Sequence, residues 1–149
     1  MIQLVRTNSN NPDFLELVAQ LDAFLAEIDG EEHLFYNQLN TVGNIRNALV
    51  AYEDGVPVAC GAIREFDAST MEVKRMYTLP PSRGKGIAKS ILSELEIWAK
   101  ELGYAKCILE TGKRQPEAIQ LYTNCGYRTI PNYGKYSNVH NSVCFEKEL

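Results

Sequence analysis

Apolar residues alternate with polar ones in seven short stretches of the chain, and they recur every three or four residues in three longer ones. The alternation predicts β-strands at about residues 2–6, 48–53, 56–66, 71–78, 104–110, 127–130 and 142–147. The longer spacing predicts helices beginning at Pro12, Ile87 and Pro116. This order of elements predicts an α/β fold: a mixed, mostly antiparallel, twisted sheet of six to seven strands with helices on both faces.

Turn residues refine this prediction. Asp54-Gly55 lies between two alternating stretches and is typical of a tight hairpin. Gly61, inside the second arm, predicts a bulge or a close approach of the backbone. Residues 34–40 mix polar and aromatic side chains and fit either a helix or an ordered loop. Residues 131–141 form a polar, tyrosine-rich loop before the last strand.

Composition indicates one globular domain, residues 1–149, long enough to bury about 70 % of the surface of the unfolded chain. A net charge of −4 argues against a nucleic-acid partner that needs a basic face. No apolar run reaches the roughly eighteen residues of a membrane span, and no signal peptide is recognised. His33, His140 and the four cysteines lack metal-ligand spacing, so we expect no metal. Scattered cysteines favour a reducing compartment, and we expect a cytoplasmic protein.

A glycine-rich loop, Arg83-Gly84-Lys85-Gly86-Ile87-Ala88, joins the strand at 71–78 to the longest apolar stripe. The first amides of a helix have no acceptor within the helix, and the helix dipole favours negative charge there. Without side chains at Gly84 and Gly86, the loop predicts a phosphate or pyrophosphate site, although a plain surface turn fits too. Neither a Walker-type loop nor the G-x-G-x-x-G of a dinucleotide fold is present.

Two motifs carry a resemblance to a known family. Arg83-x-x-Gly86-x-Ala88, after a strand ending Tyr77-Thr78-Leu79-Pro80, resembles the acyl-CoA pyrophosphate motif of the GNAT N-acetyltransferases. The segment from Ala118 to Tyr127 is similar to that family's A-I-x-L-Y-x-x-x-G-[FY] signature. The resemblance covers the second half of the chain and implies a GNAT-like acyl-CoA N-acyltransferase fold with acetyl-CoA as co-substrate.

The resemblance also implies how acetyl-CoA binds. The pantetheine arm pairs like an added strand with the end of the strand at 71–78, which splays from the strand at 104–110. Members often carry asparagine where this chain has Gln115, so that contact stays open. Lys113 and Arg114 fit either further phosphate contacts or solvated surface. The expected cofactor-binding residues are Met76, Tyr77, Thr78, Arg83, Gly84, Lys85, Gly86, Ile87, Ala88, Gln115 and Tyr122.

Acetyl transfer to an amine needs proton transfers, because an alkyl ammonium has a pKa of about 10.4. Glu72 is the candidate base, since several members carry a catalytic glutamate there; Glu110 is the reserve, and an ordered water the alternative. Strand alternation predicts Glu72, Lys74, Met76 and Thr78 on one face. The resemblance implies Tyr122 as general acid to the leaving thiolate and a strand N–H, of Met76 or Tyr77, at the oxyanion. Structural alternatives are an ion-paired Glu72 and a core-packed Tyr122.

The acceptor is least defined by the sequence. By the resemblance, the segments 33–40 and 132–140 wall its site, and the candidate residues are Tyr36, Asn37, Arg75 and Tyr133. Lys74 and Arg75 suggest an acceptor with a carboxylate or a phosphate. The expected activity is acetylation of a primary amine of a small molecule or amino acid. The alternatives are a protein or peptide amine, or a non-catalytic acyl-CoA sensor. Homodimers are common in the family, but no interface is recognisable, and we expect no nucleic-acid or membrane partner.

Overall fold

The computed structural model describes residues 1–30 and 45–149, which form one seven-stranded sheet and three α-helices. The strands are β1 (Ile2–Thr7), β2 (Asn47–Glu53), β3 (Val56–Asp67), β4 (Thr70–Thr78), β5 (Lys106–Gly112), β6 (Arg128–Ile130) and β7 (Ser142–Glu148). The helices are α1 (Pro12–Asp29), α2 (Ile87–Glu101) and α3 (Pro116–Asn124). All seven strands and the three helix starts were predicted from the periodicity.

The sheet is divided at its centre by the pairing of β4 and β5. Its order is β1-β2-β3-β4-β5-β7-β6, and only β4 and β5 are parallel. They pair only where Thr70–Glu72 meets 106–108. Beyond that point both strands continue without a ladder between them, so one edge of each is open to other donors and acceptors. This is the splay that the sequence comparison predicted.

Helices cover both faces of the sheet, as predicted. The apolar stripe of α2, with Ile91, Leu92 and Leu95, packs on one face together with α3. On the other face, α1 buries Phe14 and Leu17 against β2 and β3. The two layers enclose separate cores, and the splay between β4 and β5 lies between α1 and α3.

A β-bulge interrupts β4 beside the splay. Arg75 and Met76 together oppose the single residue Gly61, and the φ angle of Arg75 is +58°. Gly61 is required for close packing, because a Cβ there would lie 2.6 Å from Met76 Sδ and 2.8 Å from Ile91 Cγ2. The close approach expected at Gly61 is therefore present, and the bulge lies in the neighbouring strand β4.

The bulge corrects one prediction about β4. Glu72 and Lys74 do share a face, and Lys74 pairs with Ala62 of the core beneath α1. Met76 instead packs into the core beneath α2. Thr78, which pairs with Ala59 of that core, lies on the same face as Met76. Simple alternation fails because the extra residue of a bulge turns the rest of the strand over. The prediction that all four side chains share one face is wrong.

Replacing Gly61 with alanine should destabilise the fold by about 1–3 kcal/mol, because the added methyl overlaps Met76 and Ile91 in a packed core. Urea denaturation measures the change. Gly112→Ala is the matched control, since its Cβ would meet no atom closer than 3.5 Å. Equal stability of the two variants would contradict the close packing at Gly61.

Candidate active site

Two cavities meet in the splay between β4 and β5. The larger cavity, of about 820 Å³, lies between the end of β4, the glycine-rich loop, the start of α2 and one face of α3. The smaller cavity, of about 120 Å³, is bounded by the middle of β4, the end of β5 and the connection from β5 to α3. The residues that line both cavities are Leu21, Met76, Gln115, Ala118 and Tyr122.

The glycine-rich loop forms an anion-binding backbone at one end of the larger cavity. Gly84 and Gly86 adopt φ angles of +81° and +80°, a conformation that glycine reaches without strain. The Arg83 amide already donates to Pro80 O at 3.2 Å, whereas the Ser90 amide begins the ladder of α2 on Gly86 O at 3.1 Å. The amides between them, at the positive end of α2, are placed to receive an anion.

The Arg83 side chain closes the cavity wall instead of projecting from the loop. Its guanidinium lies 5.3 Å from the ring centre of Phe24 and 5.6 Å from that of Tyr77. Its Nε donates to Thr78 O at 2.8 Å. Arg83 therefore links the end of β4 to α1 across the larger cavity.

Three other cations expected near the phosphates lie elsewhere. Lys85 Nζ donates to Glu53 at 3.3 Å, and Lys85 does not line either cavity. Lys113 and Arg114 line the smaller cavity, not the larger one. Arg114 Nη1 lies 3.9 Å from Asp29 Oδ1, a long contact for an ion pair. Arg83 and Lys89 do line the larger cavity, so an anion there can meet these two cationic residues as well as the backbone amides.

Tyr122 occupies the junction of the cavities. Its buried ring packs edge-on against Tyr127, with centres 6.0 Å apart, and against Phe145 at 6.1 Å. Among residues 1–30 and 45–149 its hydroxyl makes no hydrogen bond, and its oxygen is not one of the fully buried atoms left without a partner, so it is accessible from the cavity. Burial, and next the charge of Glu110, raises the pKa of the Tyr122 phenol, which therefore stays protonated.

Glu72 is buried and fully engaged. Its Oε2 accepts from the Tyr133 hydroxyl at 2.7 Å, and its Oε1 lies 3.5 Å from Arg64 Nη2. Lys74 Nζ is 4.0 Å from the same carboxylate. Glu72 is thus a buried, ion-paired carboxylate and not an exposed one, and it also lines the smaller cavity.

Glu110 faces the smaller cavity with fewer contacts. Its Oε2 accepts from Ser142 Oγ at 2.7 Å. Burial raises the pKa of the Glu110 carboxyl, while Ser142 and the charge of Lys74 lower it less. Lys74 itself donates to the Tyr136 hydroxyl at 3.1 Å, and burial lowers the pKa of its ammonium. Glu110 and Tyr122 thus present a base and a proton donor to one cavity.

The four residues predicted to bind the acceptor lie in different places. Arg75 lines the smaller cavity, and its Nη1 donates to Asp22 of α1 at 2.8 Å. Tyr133 contacts the site through its hydrogen bond to Glu72. Burial, and next the charge of Glu72, raises the pKa of the Tyr133 phenol. Tyr36 and Asn37 lie outside the described residues. The roles of these four residues stay predictions.

Comparison with known proteins gives the family. Residues 13–127 match the model of the acetyltransferase (GNAT) family. The chain belongs to the GNAT acetyltransferase family. It is also 32 % identical over 151 residues to an IAA acetyltransferase of Azospirillum brasilense, covering 99 % of this chain and 98 % of that protein.

Solved GNAT structures share the fold. A protein of Klebsiella pneumoniae, named as an acyl-CoA N-acyltransferase, superposes with a TM-score of 0.84 at 31 % identity, over 100 % of this chain and 98 % of that one. A GNAT acetyltransferase of Elizabethkingia anophelis with acetyl-CoA bound reaches 0.73 at 16 % identity, over 99 % and 98 % of the two chains. The predicted family and fold are confirmed.

Two further findings concern the described part of this GNAT chain. None of its helices is long and apolar enough to cross a bilayer. Within 1–30 and 45–149, no group of three potential ligand side chains could hold a metal ion.

Sequence reasoning missed Ser142 as the partner of Glu110, because 32 residues separate them and nothing local marks the contact.

Proposed function

We propose that this protein transfers the acetyl group of acetyl-CoA to a primary amine of a small molecule or amino acid, by direct attack within a ternary complex. The observation that carries the proposal is the position of Tyr122. A buried phenol lies where a cavity suited to CoA meets a second, carboxylate-lined cavity, and its hydroxyl has no partner among the described residues.

The larger cavity fits CoA in size and chemistry. A volume of about 820 Å³ lies in the usual range for ligand sites. The amides after Arg83 supply donors for the diphosphate, and the open edge of β4 at Met76, Tyr77 and Thr78 supplies backbone partners for the amides of pantetheine. Gln115 lines both cavities, and we expect it to contact the cofactor near its reactive end.

For removal of the amine proton, the geometry favours Glu110 over Glu72. Both oxygens of Glu72 face donors, whereas Glu110 keeps one oxygen outside its bond with Ser142. Its raised pKa makes Glu110 a stronger base than an ordinary glutamate and narrows the gap to an ammonium of pKa about 10.4. Glu72 then anchors Tyr133 and Lys74 at the wall of the smaller cavity. Glu72, the base that the family resemblance implies, remains the alternative.

The bulge and Tyr122 complete the proposed chemistry. One N–H group at the bulge, that of Met76 or Tyr77, donates to the thioester oxygen as negative charge develops on it. Tyr122 donates a hydrogen bond or its proton to the departing sulfur. The raised pKa of Tyr122 makes full transfer harder, but the same burial also raises the pKa of a thiol at that place.

The size of the smaller cavity supports a small acceptor over a protein side chain. At about 120 Å³ it is smaller than an engineered 150 Å³ cavity that accepts benzene. IAA belongs among the compounds to test, because it names the activity of the Azospirillum protein.

The four cysteines are free thiols, which supports a reducing, cytoplasmic environment.

A screen of primary amines, following release of the free CoA thiol, tests the proposal. We expect turnover with at least one class of small amine, together with acetyl-CoA binding by calorimetry. Binding without turnover on any amine, peptides included, would support a sensor instead.

A further inference from the structure

We infer that Ser142 is a positioning residue of the reaction, whose hydroxyl holds the carboxylate of Glu110 with one oxygen directed at the acceptor amine. The inference rests on the proposed function, in which Glu110 takes the proton of the amine, and it names the residue that orients this base. It comes from one buried hydrogen bond and from the backbone contacts that fix the donor of that bond.

The bond between the two side chains is short and shielded from water. Ser142 Oγ donates to Glu110 Oε2 at 2.7 Å, and Ser142 is only 4 % exposed. A hydrogen bond to an ionised carboxylate is about twice as strong as one between neutral groups, and burial removes the water that would compete for it. The bond therefore restricts rotation of the carboxylate and leaves Oε1 for the amine.

The ladder between β5 and β7 places the hydroxyl beside Glu110. Glu110 pairs with Cys144, and Ser142 pairs with Gly112. Residues two apart on a strand share a face of the sheet with the residues paired to them, so Ser142 is a diagonal neighbour of Glu110. Because Gly112 has no side chain, the residue directly opposite Ser142 does not compete for its hydroxyl.

Hydrogen bonds within the loop before β7 fix the backbone of Ser142. The Ser142 amide donates to Val139 O at 3.1 Å. Asn132 Nδ2 donates to Ser142 O at 3.2 Å and to Val139 O at 3.1 Å. Ser142 itself lines neither cavity, so its effect on the reaction is transmitted by Glu110.

Charged and titratable groups surround Glu110, but replacing Ser142 changes none of them. The groups that interact with the charge of Glu110 are Glu72, Lys74, Asp29, Tyr122, Tyr136 and Cys144. Arg75, Lys113 and Arg114 line the same cavity. Serine is neutral, so its substitution leaves all these groups in place. Burial raises the pKa of the Glu110 carboxyl and the bond from Ser142 lowers it, so loss of the bond should raise this pKa further.

The test measures kcat/KM for the best amine of the screen as a function of pH, from initial rates of thiol release. The variants are Ser142→Ala, Ser142→Thr, Glu110→Gln and the double variant of Ser142→Ala with Glu110→Gln. Ser69→Ala is the matched control, because Ser69 Oγ also donates to a carboxylate, that of Asp67 at 3.2 Å, in the turn between β3 and β4. Thermal denaturation of each variant separates a loss of activity from a loss of fold.

We expect Ser142→Ala to lower kcat/KM about tenfold at neutral pH and to move the acidic limb to higher pH. Fewer molecules then carry an ionised Glu110, and the carboxylate is less well oriented in those that do. Ser142→Thr keeps the hydroxyl and should restore most of the activity, and Ser69→Ala should match the wild type. In the Glu110→Gln background, Ser142→Ala should cost no more than about twofold, because no base is left to orient.

A second pair of variants repeats the test if Ser142→Ala proves unstable. Ser142→Thr and Ser142→Val have nearly the same shape and differ in the hydroxyl. We expect the acidic limb to lie at higher pH in Ser142→Val than in Ser142→Thr.

An acidic limb at its wild-type pH in a folded Ser142→Ala would overturn the inference. A further tenfold loss when this substitution is added to Glu110→Gln would also overturn it, since Ser142 would then act independently of Glu110. Either result leaves the proposed acetyl transfer intact. Absence of turnover with every amine would instead overturn the proposed function itself.

Discussion

Tyr122→Phe is expected to lower kcat about a hundredfold or more, with the KM for acetyl-CoA within about threefold of wild type. A positioned proton donor contributes about 10²–10⁴-fold to rate, and Tyr122 lines both cavities. The measurement is steady-state kinetics with the best acceptor from the amine screen, under saturating acetyl-CoA.

The substitution should leave the fold intact, because the ring contacts with Tyr127 and Phe145 remain and the hydroxyl has no partner among the described residues to lose. Thermal denaturation checks this. Tyr104→Phe is the matched control, since that hydroxyl bonds to Glu65 at the opposite end of β5. A kcat for Tyr122→Phe within twofold of wild type would show that Tyr122 is a packing residue only.

Glu110→Gln is expected to lower kcat/KM for the amine about a hundredfold at neutral pH and to remove the acidic limb of the pH profile. A base must be ionised, so activity falls as the pH drops through its pKa, and burial raises the pKa of Glu110 above that of an ordinary glutamate. The limb should therefore lie above the usual glutamate range. Glu72→Gln makes the same chemical change one strand away and should retain the limb.

The stability of these variants gives an independent check on the direction of the pKa shift of Glu110. A carboxyl whose pKa is raised by folding opposes folding while it is ionised, and this penalty disappears as the pH falls through the raised pKa. Glu110→Gln should consequently be no less stable than wild type at neutral pH, and its amide oxygen can still accept from Ser142. Glu72→Gln should be less stable, because Arg64 and Lys74 lose a buried counter-charge.

Loss of the acidic limb in Glu72→Gln, with retention in Glu110→Gln, would identify Glu72 as the base, as the family resemblance implies. Retention of the limb in both variants would indicate an ordered water. The pH profiles thus separate the three alternatives that the sequence left open.

Local patterns predicted the elements because each depends on neighbouring residues. Alternation and helical spacing gave the strands and helices, and Asn11 caps α1 through Asp13 and Phe14 as its sequence suggests. Gly61 signalled a close backbone approach. The bulge that it accommodates was not placed, because its extra residue, Arg75, has no local mark of a positive φ angle.

The contacts of the site escaped prediction because they join distant parts of the chain. Tyr133 and Glu72 are 61 residues apart, and Lys74 and Tyr136 are 62 apart. No periodicity can show which loop tyrosine reaches which strand residue. The assignment of Lys113 and Arg114 was ambiguous for a related reason, since a sequence cannot tell which of two adjoining cavities a side chain borders.

A crystal structure with bound CoA tests the account most directly. We predict diphosphate oxygens about 2.7–3.2 Å from backbone amides within residues 84–88, the pantetheine arm along the open edge of β4, and the sulfur beside the Tyr122 hydroxyl. A diphosphate bound elsewhere, for example at Lys113 and Arg114, would contradict the assignment of the larger cavity to CoA, and the roles of Tyr122 and Glu110 would fall with it.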